Sequence, residues 1–167
     1  MPMPVSGWRA DANPGVIPEV VIVIPVFKHN GLLSEAVDCA LKQDARVKIV
    51  IVNDGCPFPE TDLVCAAFAT AYPDDITYLR RPNGGLSAAR NTGIDYALAT
   101  WPNAEAVYLL DADNRLGPKA LSSALQSLRA SPEIGWVYPD ISMFGLPWYG
   151  SFSGDYSLLL HTGNNIS

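Results

Sequence analysis

Short runs of β-branched and other apolar residues alternate with helical segments along this chain, and that alternation limits the folds open to it. Residues 20–24 read "VVIVI" and residues 47–53 read "VKIVIVN". Mostly apolar runs of this kind are typical of strands that are covered on both faces. We expect the first strand to end at Pro25, and we expect further strands at residues 76–81, 104–113 and 134–145.

Segments with apolar residues at helical spacing separate these strands, at residues 30–44, 60–72, 84–100 and 117–131. The alternation predicts the α/β class, with a mostly parallel central sheet and helices on both of its faces. The first 18 residues are rich in Pro and Gly, so they are expected to form an irregular arm. The domain itself is therefore expected to begin at residue 19.

The charge and the cysteine content exclude some classes of protein. The net charge is −6, and the longest basic run is the pair Arg80–Arg81, which argues against nucleic acid and anionic membranes as partners. The three cysteines show no C-x-x-C spacing, and the first residues lack the pattern of a secretory leader. No apolar stretch is long enough for a transmembrane segment. These features predict a soluble, cytoplasmic protein.

Unusual residues follow each of the first four expected strands. In parallel α/β sheets, ligands bind outside the carboxyl ends of the strands, close to the point where the strand order reverses. The sequence therefore predicts one binding site built from all four strand ends. The candidate residues are Pro25, Val26, Phe27, Asp54, Asn83, Gly84, Gly85, Asp111, Ala112 and Asp113.

Asp111 and Asp113 are separated by one residue, so on an extended backbone both carboxylates point to the same side. One interpretation is that Asp113 or Asn114 caps the helix expected to begin near Gly117. The other is that the pair holds Mg²⁺ or Mn²⁺, which typically binds one or two carboxylates together with ligand phosphates. His161 is a further candidate metal ligand. The spacing alone leaves both interpretations open.

Three other polar features are candidate contacts for a ligand. Asp54 precedes Gly55, but the following "CPFPET" is not a strand, so a hairpin is excluded and its carboxylate is a candidate acceptor for a base or a ribose. Gly84 and Gly85 are expected to offer open backbone N–H groups to an anion. Arg90 falls on the packed face of the third helix and therefore needs an anionic partner. That partner is either an internal carboxylate, Asp111 or Asp54, or a ligand phosphate.

Four strings occur at successive strand ends: "VVIVIPVF", "IVIVNDG", "NGGLSAARNTGI" and "YLLDADN". Together they resemble the nucleotide-sugar-binding half of family 2 glycosyltransferases, over residues 20–145. The resemblance implies a Rossmann-like GT-A fold. It also implies an inverting, metal-dependent transfer, in which an acceptor hydroxyl attacks the anomeric carbon of a nucleoside-diphosphate sugar.

The same resemblance implies a role for each motif. Residues 25–27 and Asp54 would surround the base and the ribose, and Asp113 would bind the Mg²⁺ or Mn²⁺ that neutralises the leaving diphosphate. Asp111, followed by Ala112, would contact the ribose or the metal. The ribose and diphosphate would lie along Asn83, Gly84, Gly85 and Arg90.

The sequence departs from the family pattern at Phe27, Lys28 and Cys56. The family's catalytic base is expected beyond Ser167, so residues 146–167 would be the start of an acceptor-side region in a truncated enzyme. The acceptor, whether saccharide, lipid-linked or protein, is not specified by these residues. Two alternatives remain: a sugar-phosphate nucleotidyltransferase, and a nucleotide-sugar-binding module without catalysis. The first would need a basic, Gly-rich loop after the first strand, where only Lys28 and one glycine stand.

Overall fold

The computed structural model describes residues 16–28, 30–139, 141–142 and 151–152. Strands and helices alternate along the described chain, as the sequence predicts. The elements are β1 (Val20–Val26), α1 (Asn30–Leu41), β2 (Val47–Asn53), α2 (Pro59–Ala71), β3 (Ile76–Arg80), α3 (Leu86–Thr100), β4 (Ala106–Leu109) and α4 (Ala120–Ala130). Two short strands, β5 (Ile141–Ser142) and β6 (Ser151–Phe152), pair with each other in antiparallel fashion.

The first four strands form one parallel sheet in the order β3-β2-β1-β4. Because β4 joins the opposite side of β1 from β2, the strand order reverses at β1. The crevice between β1 and β4 is therefore the place where an α/β sheet of this kind binds its ligands.

Both faces of this sheet are covered, which explains why its two central strands, β1 and β2, are mostly apolar. Residues such as Ile22 and Ile49 point to one face and are buried by α1, α2 and α4. Residues such as Val21 and Val50 point to the other face and are buried by α3. The α/β class, with helices on both faces of a parallel sheet, is confirmed.

The expected end of β1 at Pro25 is wrong, because the strand continues to Val26 and Pro25 pairs in register with Val52. The Leu110 N–H donates to the Val23 carbonyl, so the Val23 backbone faces β4. Because the backbone direction alternates along a strand, Pro25 also faces β4. The last β1–β4 pair is Val23 with Leu109. An N–H at position 25 would face the Leu110 carbonyl, one step beyond the last β1–β4 pair, so every bond of the paired part of the ladder is kept with proline at this position.

Two other expected boundaries change. Residues 134–139 are irregular, so the fifth strand expected at 134–145 is reduced to Ile141–Ser142 within the described chain. Helix α4 begins at Ala120 rather than near Gly117. Most of the expected arm, and nearly all of the expected acceptor-side region, lie outside the described residues. Of the helices that are described, none has the length and apolar character needed to cross a membrane.

Candidate functional site

A cavity of about 370 Å³ lies at the carboxyl ends of the four strands. Its lining brings together residues from all four strand ends, as the sequence predicts. The lining residues are Pro25, Val26, Phe27, Asp54, Asn83, Gly85, Leu86, Ala89, Asp111, Ala112 and Asp113. Gly84 and Arg90 adjoin this cavity through their contacts with Asp54 and Asp111. The candidate metal ligand His161 lies outside the described residues.

The chain leaves β4 at Leu110 and turns across the crevice, with the Asn114 N–H donating to the Asp111 carbonyl at 3.0 Å. Arg90 donates from Nη2 to Asp111 Oδ1 at 2.7 Å, and both side chains are about one-third exposed, at 30% and 34%. Of the partners considered from the sequence, Asp111 is thus the one that Arg90 contacts. The pair ties α3 to the end of β4 on the wall of the cavity.

Asp113 does not cap the following helix. Helix α4 begins at Ala120, and its N-cap residue is Lys119, which has a left-handed backbone and makes no side-chain cap bond. Asp113 is exposed, and its carboxylate has no hydrogen bond or ion pair with any residue in the described part of the chain. The capping interpretation is therefore wrong, and the carboxylate faces the cavity as an uncompensated negative charge.

The pair Asp111 and Asp113 fits a hard divalent cation. Mg²⁺ and Mn²⁺ accept carboxylate oxygens and complete their coordination with water and ligand phosphates. Among residues 16–28 and 30–139, no group of three His, Cys, Asp or Glu side chains is placed to enclose a metal ion. The donor set is therefore open on one side, and it suits a cation that enters together with an anionic ligand.

Asp54 is placed at the predicted strand end, but its carboxylate is already engaged. Arg81 donates to Oδ1, the Gly84 N–H donates to Oδ1 at 3.1 Å, and the Gly85 N–H donates to Oδ2 at 2.7 Å. The expectation that these two glycines offer open N–H groups to an anion is wrong, since both N–H groups point at Asp54. Its carboxylate is likewise not available to accept from a base or a ribose in this structure.

The sequence did not single out Arg81, Leu86 or Ala89 as site residues. Leu86 and Ala89 lie on the first turn of α3, and their helical spacing from Gly85 is the signal that would have included them. In the sequence, Arg81 is notable only as the second residue of the basic pair Arg80–Arg81. Its partner lies 27 residues earlier in the chain, and no local pattern reports such a contact.

A hydrogen-bond network beneath the site holds the β2–α2 loop. The Asn53 side chain donates to Asp62 Oδ1 at 2.8 Å, and the Tyr78 hydroxyl donates to the same oxygen. Burial raises the pKa of Tyr78, and the bond to the Asp62 carboxylate raises it further. Asn53 Oδ1 in turn accepts from the Cys56 N–H at 2.8 Å. The network fixes the turn that carries Asp54.

Cys56 connects this loop to the end of β1. Its sulfur accepts from the Thr61 hydroxyl at 3.2 Å and from the Lys28 N–H at 3.4 Å. Burial raises the pKa of the thiol, but the hydrogen bonds from Thr61, Phe58 and Lys28 outweigh burial and leave the pKa below its ordinary value. Lys28 has a left-handed backbone with φ of 64°. These bonds hold a conformation that a lysine rarely adopts.

Phe27 forms one rim of the cavity and is 36% exposed. The Lys28 ammonium lies 5.1 Å from the centre of the Phe27 ring. The phenyl ring is thus accessible to a planar ligand group from the cavity side, as a place beside the base would require.

A larger groove of about 630 Å³ runs along β4 between the end of α3 and α4. Its lining is mainly apolar and includes Leu98, Leu125 and Trp136. Its charged lining residues, Glu105 and Arg129, are paired with each other. Because the carboxylates and the positioned arginine converge on the smaller cavity, we assign the candidate site there.

Known proteins resemble this chain in sequence and in structure. The family model described as "Glycosyl transferase family 2" matches residues 21–165. The minor teichoic acid biosynthesis protein GgaB of Bacillus subtilis (strain 168) is 27% identical over 107 residues, covering 62% of this chain and 11% of GgaB. The succinoglycan biosynthesis protein ExoW of Rhizobium meliloti (strain 1021) is 33% identical over 112 residues, covering 66% and 34%.

Solved structures share the fold. The mannosyltransferase PcManGT from Pyrobaculum calidifontis, in complex with GDP-Man and Mn²⁺, superposes with a TM-score of 0.58 at 24% identity, covering 72% of this chain and 35% of that one. TarS residues 1–349 of S. aureus, in complex with UDP, gives a TM-score of 0.56 at 16% identity, covering 68% and 33%. The GT-A fold expected from the motifs is confirmed. The chain spans at most about a third of the length of these four proteins.

Proposed function

Since the chain belongs to glycosyl transferase family 2, we propose that its strand-end cavity binds the nucleoside-diphosphate sugar of an inverting, metal-dependent glycosyl transfer. The observation that carries the proposal is the meeting of Asp111 and Asp113 with the ends of β1 and β3 around one cavity. Support also comes from the neighbours of the same fold, one described with GDP-Man and Mn²⁺ and another with UDP.

In this proposal the nucleoside occupies the end of the cavity formed by residues 25–27, where the Phe27 ring stacks on the base. The sugar and diphosphate lie towards the crevice between β1 and β4. Arg90 remains paired with Asp111 and holds that carboxylate in position, so that Asp113 is left to meet the diphosphate side through a cation. Gly85, Leu86 and Ala89 bring the first turn of α3 to the same wall.

Asp113, assisted by the second oxygen of Asp111, would hold Mg²⁺ or Mn²⁺. When bound, such an ion stabilises the negative charge that develops on the departing diphosphate. The protein's own part is to place two carboxylates where the phosphates arrive, and to keep Asp111 oriented through Arg90. This arrangement favours charge separation at the bond between the sugar and the diphosphate.

We assign the catalytic base to a part of the enzyme other than residues 16–139. The carboxylates on the described part of the cavity are Asp54, Asp111 and Asp113. The first is engaged by internal donors, and the other two serve the cation. We further propose residues 19–145 as the donor domain and 146–167 as the start of the acceptor side, in an enzyme that acts in the cytoplasm. The three free thiols of the described chain support a reducing compartment.

Isothermal titration calorimetry tests this proposal directly. The chain is titrated with UDP, GDP and dTDP, each in the presence and in the absence of Mn²⁺. We expect binding of at least one nucleotide, strengthened by the ion. A folded sample that binds none of the three with Mn²⁺ present contradicts the proposal.

A further inference from the structure

We infer that Cys56 is a positioning residue, whose sulfur holds the turn at Lys28 and thereby sets the place of the Phe27 ring at the rim of the cavity. The inference rests on the proposed function, because it concerns the end of the same cavity that would receive the base. It adds a residue that does not itself line the cavity.

The first step is the way in which the pairing of β1 with β2 ends. The last rung is the bond from the Asp54 N–H to the Val26 carbonyl. In a regular parallel ladder the next rung would join the Lys28 N–H to the Asp54 carbonyl. Here that carbonyl accepts from the Asn83 side chain, and the Lys28 N–H donates to Cys56 Sγ at 3.4 Å. The sulfur thus takes the place of the next backbone acceptor on β2.

The second step is the backbone conformation that this bond holds. Lys28 has φ of 64°, a left-handed conformation in which its Cβ crowds the following carbonyl. Such a conformation persists only where the surrounding structure holds it. The bond to the sulfur acts on the N–H of the left-handed residue itself. Phe27 lies between this turn and the last residue of β1, so its ring keeps one place only while the turn is held.

The third step is that the sulfur is itself held in place from two sides. The Cys56 N–H donates to Asn53 Oδ1, at the end of β2, at 2.8 Å. The Thr61 hydroxyl, in the first turn of α2, donates to Sγ at 3.2 Å. Cys56 and Thr61 are both buried, so water does not readily replace the sulfur as an acceptor when it is removed. The sulfur therefore passes the fixed position of β2 and α2 on to the end of β1.

The test compares Cys56→Ala and Cys56→Ser with the matched control Cys65→Ala, in the 167-residue chain. Cys65 is also a buried thiol, but it packs in the hydrophobic core and does not line the cavity. Affinities are measured with Mn²⁺ for pyrophosphate, which has no base, and for whichever of UDP, GDP and dTDP binds the unaltered chain most tightly. Folding of each variant is checked by thermal unfolding.

We expect Cys56→Ala to weaken nucleotide binding about tenfold, if the turn is then populated about a tenth of the time, and pyrophosphate binding by no more than about twofold. Cys56→Ser should recover part of the nucleotide affinity, because its oxygen also accepts hydrogen bonds. Cys65→Ala should lower the unfolding temperature through the cavity that it leaves, without changing either affinity. An equal loss for both probes in Cys56→Ala, or unchanged nucleotide affinity, overturns the inference.

Two double variants test the route from the sulfur to the ring. Glycine adopts the left-handed conformation readily, so Cys56→Ala should cost less nucleotide affinity when it is combined with Lys28→Gly than when it is made alone. Combined with Phe27→Ala, it should cause no further loss, because the ring that it positions is already absent. A loss of undiminished size in both combinations overturns the inference.

Amide hydrogen exchange on the unaltered chain covers the case in which Cys56→Ala does not fold. Lys28 is exposed, so its amide should exchange at about the rate of an unstructured peptide unless the bond to the sulfur protects it. Protection of this amide supports the inference, and exchange at the unprotected rate overturns it. If the unaltered chain binds none of the three nucleotides, the proposed function fails, and the exchange at Lys28 alone decides whether the sulfur holds the turn.

Discussion

The two ends of the parallel sheet both carry carboxylates and arginines, but they differ in what is left over. At the amino end, Glu19 and Glu105 share Arg129, and Glu19 also contacts Arg46. At the carboxyl end, Arg81 and Arg90 satisfy Asp54 and Asp111, whereas Asp113 has no charged partner in the described chain. At the amino end both of these carboxylates have a charged partner, whereas at the carboxyl end the Asp113 carboxylate is left without one in the described chain.

The pKa values of the amino-end carboxylates reflect this pairing. The Arg46 backbone N–H, followed by the Arg129 side chain, lowers the pKa of Glu19 below its ordinary value. The Arg129 side chain does the same for Glu105. Ion pairs of this kind on a protein surface contribute little to stability and need no ligand.

The largest effect should come from Asp113, the unpaired carboxylate. We expect Asp113→Asn to lower the affinity for UDP with Mn²⁺ by roughly 100-fold, since a metal ligand contributes several kcal/mol. Stability should not fall, because no internal bond is lost. Calorimetry and thermal unfolding measure the two quantities. Asp95→Asn, an exposed change on α3 away from the cavity, is the control. A drop in stability with unchanged affinity would restore the capping interpretation.

Gly55→Ala should destabilise the loop at the carboxyl end of β2, because alanine does not fit the backbone conformation and the close packing at this position. Gly55 has φ of 65°, and a Cβ there would lie 2.5 Å from the Asn83 backbone nitrogen. We expect a loss of roughly 1–3 kcal/mol in the free energy of unfolding from strain and overlap, read from denaturant titration. Gly117→Ala, where a Cβ meets nothing within 4 Å, should cost much less. Equal losses in the two variants would mean that residues 53–55 and 81–85 are not closely packed.

Arg90→Met tests whether the second pair of the carboxyl end matters for binding. Without Nη2, Asp111 loses its 2.7 Å bond and its fixed orientation. We expect the affinity for UDP with Mn²⁺ to fall by about tenfold, the size of one charge-assisted hydrogen bond. Arg90→Lys should recover only part of the affinity, because lysine does not reproduce the guanidinium geometry. Binding that is unaffected in both variants contradicts the positioning role.

The smallest effect should come from the amino end, and it should depend on pH. Because Glu19 and Glu105 have pKa values below the ordinary 4.5, their pairs contribute stability above that pH and lose it as the pH falls through the lowered values. The unfolding temperature of Arg129→Met should thus differ from that of the unaltered chain near neutral pH, and the difference should shrink well below pH 4.5. Nucleotide affinity should not change. A difference that grows on acidification contradicts the assignment of these pairs.

The fold could be predicted because its signals are local. Runs such as residues 20–24 and 49–52 are apolar at every position, and that pattern has few explanations other than a strand covered on both faces. The carboxyl ends of parallel strands then lie at one edge of the sheet. This is why residues as distant as Phe27 and Asp113 could be placed together from sequence alone.

The sequence did not reveal which charged side chains form ion pairs with each other and so have fewer hydrogen-bonding positions left for a ligand. Nothing near Asp54 indicates that Arg81 will neutralise it, because the contact depends on the register of β2 with β3 and on the turn at Gly84. The choice of Arg90 between Asp111 and Asp54 was open for the same reason. Residue types at strand ends predict where a site lies, whereas tertiary contacts decide which of its groups remain free.

The proline within β1 has a consequence for the shape of this sheet. In the register of Val23 with Leu109, an N–H at position 25 would face the Leu110 carbonyl and add one more rung between β1 and β4. Proline cannot form that rung, and the pairing of β1 with β4 ends at Leu109, two residues before Asp111. The sheet therefore lacks this backbone hydrogen bond at the place where Pro25, Asp111 and Ala112 line the cavity.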